Sequence, residues 1–111
     1  MSDDPNHPIP ATEAIDVCGI RKSGGADLVI VIASPLGADE NSQRRLLRKI
    51  EVYLDFIRSD EFKSQAAAAA RENTSIVVHI HPASNPVIFE LLERCRPWVE
   101  ENGAKLKVES S

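Results

Sequence analysis

The sequence predicts a small α/β two-layer sandwich with the element order β-β-α-β-α-β. Three observations carry this. The run Leu28-Val29-Ile30-Val31-Ile32-Ala33 is short, β-branched and apolar on both faces, as a central buried strand is. Two longer segments, Leu46 to Ile57 and Ile88 to Val99, repeat apolar residues at helical spacing. Strand–helix–strand crossovers are right-handed in nearly all proteins, so if strand three lies beside strand two and strand four beside strand three, both helices fall on one face of a mixed four-stranded sheet. The other face then lacks cover from this chain.

Taken in order, residues 1–13 are polar, carry three prolines and read as a disordered arm. The domain spans 14–109. Ile15 to Lys22 is the first strand, and Ser23-Gly24-Gly25-Ala26 a hairpin that pairs strands one and two antiparallel. Ser34-Pro35-Leu36-Gly37 ends strand two. Asp39 or Asn41 then caps a helix whose inward stripe is Leu46, Ile50, Tyr53, Leu54 and Ile57, widened by Leu47. The helix weakens near Ser59-Asp60. A second helical piece runs from Asp60 through Phe62 and the alanines 66–70, loosely packed because alanine buries little area.

Ser75 to His81 is strand three, with Val77, His79 and His81 on one side. Asn85 caps the last helix and Pro86 occupies its first position. Ile88, Leu91, Cys95 and Trp98 form its inward stripe, joined by Leu92 and Val99. Pro97 lies inside the pattern and predicts a kink rather than an end. Asn102-Gly103 stops the helix. Lys105 to Glu109 alternates as a half-exposed closing strand.

Composition excludes several roles. A chain of 111 residues suits one domain, and a net charge of −4 argues against a general nucleic-acid binder. The N-terminus lacks the basic leader and apolar core of a secretory signal, and no apolar run is long enough to span a membrane. Cys18 and Cys95 sit inside predicted elements, as buried thiols in a reducing cytoplasm do. The glycine pair is not a phosphate loop: G-x-x-x-x-G-K-[ST] is absent and no helix follows directly. No cofactor is expected.

At Ile15-Asp16, at Gly19-Ile20 and above all at Lys49-Ile50-x-x-Tyr53-Leu54-x-Phe56-Ile57, the chain resembles a family of small bacterial domains of unknown function. The likeness runs from about Ile15 to Val108. Its motifs are packing residues, so it implies a fold and carries no catalytic residues.

Candidate site residues divide into two groups. His79 and His81 alternate on one strand and can reach one ion, but zinc takes three or four ligands. Arg44, Arg45, Arg48 and Lys49 cluster in the first half of the long helix, where they suit an acidic partner or a phosphate, or simply pair with Glu40, Glu51 and Asp55. Cys95 falls in a buried stripe, Ser34 lacks a nucleophile elbow, and the paired carboxylates sit at helix ends or exposed positions, so catalysis is not expected.

The bare sheet face is the stronger feature. It carries either Leu28, Ile30 and Ile32, or Val29, Val31 and Ala33, ringed by Val77, His79, His81, Lys105 and Lys107. An apolar strip with a polar rim is what partner surfaces look like. The expected role is a non-catalytic protein-binding or accessory module, self-associating or docking another protein through this face. The alternative is a small-ligand or metal binder using His79 and His81, and an enzyme is a third class.

Overall fold

The structure is a computed structural model and describes Ile9 and residues 17–20, 25–65 and 73–110. The described residues form a small mixed α/β domain with three helices and three parallel strands. The elements are β1 (Val17–Ile20), β2 (Ala26–Ile32), α1 (Glu40–Ile57), α2 (Asp60–Gln65), β3 (Thr74–Ile80), α3 (Pro86–Glu101) and β4 (Ala104–Ser110). β2, β3 and β4 run parallel, with Leu28, Ile76 and Leu106 side by side. β1 lies antiparallel along the outer side of β2, Val17 opposite Val29. Residues 15–16 and 21–22 of the expected first strand, residues 23–24 of the hairpin and the alanine run 66–70 lie outside the described residues.

Side-chain alternation divides the sheet. Leu28, Ile30 and Ile32 of β2, Ile76, Val78 and Ile80 of β3, and Leu106 of β4 share one face and are buried. The same apolar cluster contains Leu46, Ile50, Tyr53, Leu54 and Ile57 of α1 and Ile88, Leu92, Cys95 and Val99 of α3. Both helical stripes therefore pack on this one face. Leu91 and Trp98, expected in the inward stripe, are only half-buried at its margin. Ile9, in the stretch expected to be a disordered arm, is buried in the cluster, and its carbonyl accepts from Arg45 Nε at 2.8 Å.

Local chemistry fixes the helix ends. Asp39, not Asn41, caps α1: its carboxylate accepts from the Ser42 backbone N–H at 3.0 Å and from the Ser42 hydroxyl at 2.8 Å. Asn85 caps α3 through Val87 N, with Pro86 at its start. α3 continues through Pro97 to Glu101. Gly103 then takes φ 85°, the left-handed conformation a helix stop needs. α2 is anchored more firmly than alanine content suggests, because Phe62 is fully buried and meets Phe56 edge-on at 5.5 Å.

Lys49 departs from the expected charged surface. It is 2% exposed, on the inward side of α1, with Nζ 5.9 Å from the centre of the Tyr53 ring. Tyr53 donates its hydroxyl to Val29 O at 2.6 Å, pinning α1 to β2.

Candidate functional site

The opposite sheet face carries Asp27, Val29 and Val31 of β2, Ser75, Val77 and His79 of β3, and Lys105, Lys107 and Glu109 of β4. It is not open along its whole length. Ser75 and Val77, the latter expected on the open face, are buried, Val77 to 7% exposure, so this stretch offers a partner little surface. The opening lies at the C-terminal ends of the parallel strands. There Val31 is 49% exposed, one of two strongly exposed large apolar side chains among the described residues, and Ala33, His79 and Glu109 are exposed beside it.

These residues, with His81, Ile32 and Ile80, line a shallow cleft of about 160 Å³. The register sets its charges: His79 and Glu109 are lateral neighbours, with His79 Nε2 3.2 Å from Glu109 Oε2. The pairing is ionic only when the imidazole is protonated. Half-buried His81 accepts from Ala83 N through Nδ1 at 3.0 Å, which makes Nδ1 the unprotonated nitrogen. Behind the cleft the two strand-end loops are tied together. Buried Ser84 accepts from Leu36 N at 2.9 Å, and Asn85 N donates to Leu36 O at 2.9 Å. Among the described residues, no group of three or more His, Cys, Asp or Glu side chains is arranged to hold a metal ion.

The expected site residues do not all meet. His79 and His81 share the cleft. Lys105 and Lys107 are exposed on the same side of β4, further toward its N-terminal end. Arg44, Arg45 and Arg48 stand on the helical layer, on the far side of the sheet. Arg44 pairs with Glu40, Arg48 with Glu51, and Arg45 holds the Ile9 carbonyl. They form no common surface with the histidines.

Glu109 is not legible as a cleft residue in the sequence, because its place beside His79 depends on the β3–β4 register, which no local pattern encodes. Cys95 is a buried free thiol, and burial pushes its ionisation up, which removes it as a nucleophile. No described helix is long and apolar enough to cross a membrane.

The fold and this surface define a small mixed α/β domain whose exposed feature is a shallow, polar-rimmed opening at one end of a sheet. The chain belongs to DUF6572, a family of unknown function, whose model matches residues 8–111. The motif residues Lys49, Ile50, Tyr53, Leu54 and Ile57 are buried, and Phe56 is half-buried against the core. Neither a curated protein nor a solved structure matches the chain.

Proposed function

We propose that this domain is a non-catalytic protein-binding module that associates, first of all with a second copy of itself, through the open end of its sheet. The reading takes β1 as a full member of a mixed four-stranded sheet with the helices on one side. The observation that carries it is Val31. A valine left half exposed on a sheet whose other face is fully packed loses solvation free energy at roughly 25 cal/mol per Å² of apolar area, which contact with a partner would recover. His79, Glu109, Lys105 and Lys107 give the polar rim that orients such a contact. The apolar area is small, so the association is weak and concentration-dependent.

Sedimentation of the native chain and of Val31→Lys tests this. The reading expects self-association of the native chain that rises with concentration, and a monomeric, equally folded Val31→Lys. A native chain that is monomeric at millimolar concentration sinks the self-association.

A second reading has one observation behind it. The cleft sits at the C-terminal ends of parallel strands, where α/β sheets commonly take ligands. Its volume is below the ~300 Å³ at which small-molecule pockets begin. It suits a partner side chain or a small ion better than a metabolite. Ligand-induced shifts of the His79 and His81 NMR signals, at ligand levels that leave the oligomeric state unchanged, distinguish this alternative.

A further inference from the structure

β4 is an outer strand, and the hydrogen-bond alternation identifies the backbone groups on its free side. Ala26 N donates to Asn73 O at 3.2 Å, while Ala26 is the register partner of Thr74. In a parallel ladder this turns the odd-numbered β3 residues toward β2 and the even-numbered ones toward β4. Ile76 is the register partner of Leu106, so Lys105, Lys107 and Glu109 bond to β3. Ala104, Leu106, Val108 and Ser110 therefore direct their N–H and C=O groups away from the sheet. Among the described residues, no strand pairs with that side. One side chain occupies it: Arg96 of α3 donates Nη1 to Leu106 O at 2.6 Å. Glu93, one turn earlier, holds the same guanidinium through Nε and Nη2.

We propose that the β4 edge is a second association surface, fitted to the β4 of another copy and held closed by the Arg96–Glu93 clasp. A row of unpaired backbone groups is a template for strand addition, and proteins blunt such edges with charged side chains. The seven residues Ala104–Ser110 are centred on Lys107. Antiparallel self-pairing about Lys107 uses the whole strand and places Lys105 opposite the second copy's Glu109, twice. On the helical side it places Leu106 opposite Val108, also twice. Opposite charges and apolar side chains in these positions favour the pairing.

Two features oppose it. Lys107 meets Lys107 at the two-fold axis, and the Leu106 carbonyl needed for the ladder is already bonded to Arg96. The native chain therefore keeps this edge shut, and removing the arginine opens it. The edge shares the side chains of Lys105, Lys107 and Glu109 with the rim around Val31 but associates through the β4 backbone, so Val31→Lys removes one surface without the other.

The test uses the full chain carrying Val31→Lys, which silences the sheet face. In that background Arg96→Ala is expected to double the sedimenting mass as concentration rises. Adding Val108→Pro deletes an outward N–H while leaving the bonds to β3, and is expected to restore the monomer. Arg96→Ala combined with Lys107→Thr is expected to dimerise at lower concentration than Arg96→Ala alone. A folded Arg96→Ala chain that stays monomeric overturns the proposal, as does a dimer indifferent to Val108→Pro. Amide exchange on the Val31→Lys chain gives a check independent of how Arg96→Ala folds. Leu106 and Val108 are expected to exchange much faster than Lys107 and Glu109, and equal protection of all four overturns the free edge on which the proposal rests.

Discussion

Single residues in this molecule do work that their type alone does not announce. Lys49 reads as one of four surface cations, yet it lies within the core beside Tyr53. Helical phase contains that information, since Lys49 falls on the same side as Leu46, Ile50 and Tyr53, but residue type outweighs phase when lysine is read as solvated. Asp39 behaves as its type suggests. Asp39→Ala removes the cap of α1 and is expected to cost about 1 kcal/mol, measured as a lower urea midpoint at unchanged slope. Cys95 is shielded, so in a Cys18→Ser chain a thiol reagent is expected to react only as fast as the protein unfolds. Rapid labelling under native conditions contradicts that placement. At the exposed Glu93–Arg96 pair, the side-chain bond from Arg96 holds the Glu93 carboxyl below its ordinary range. A depressed folded value means that the stabilisation is present above the unfolded value and fades as pH falls through the folded one. The stability difference between the native chain and Glu93→Gln is therefore expected to be small and to vanish on acidification.

The elements show where sequence is informative and where it is not. Strands with clean alternation and helices with caps are legible, because each signal is local. β2, β3 and β4 are found within one or two residues of expectation, and Asn85-Pro86 and Gly103 mark the ends of α3 as their chemistry requires. α2 is the instructive exception. A segment next to five alanines suggests loose attachment, yet Phe62 anchors it through burial and its contact with Phe56. Phe62→Ala is expected to cost about 3–5 kcal/mol, the range for deleting a buried aromatic ring, and a loss under 1 kcal/mol contradicts the anchoring. Gly103→Ala tests the other end of the chain: a side chain at φ 85° is strained even in open space, and a loss of about 1 kcal/mol is expected.

At the scale of the whole molecule, right-handed crossovers and two amphipathic helices imply a sheet covered on one side, and both helical stripes do pack into a single apolar cluster. Which set of β2 side chains faces outward was not legible, because the strand is apolar on both faces. The helices decide it by burying Leu28, Ile30 and Ile32 and leaving Val31 exposed. The charged helical surface and the histidine end lie on opposite sides of the sheet. Proximity across layers depends on the tertiary fold, and no spacing rule reports it.

The most direct measurement is the accessibility of β2 methyl groups to a soluble paramagnetic probe over a dilution series. In dilute solution the Val31 methyls are expected to be strongly relaxed while those of Ile30 and Ile32 are spared, and Val31 is expected to become protected as concentration rises. Val31 methyls sheltered at the lowest concentration, or equally exposed at every concentration, contradict the account.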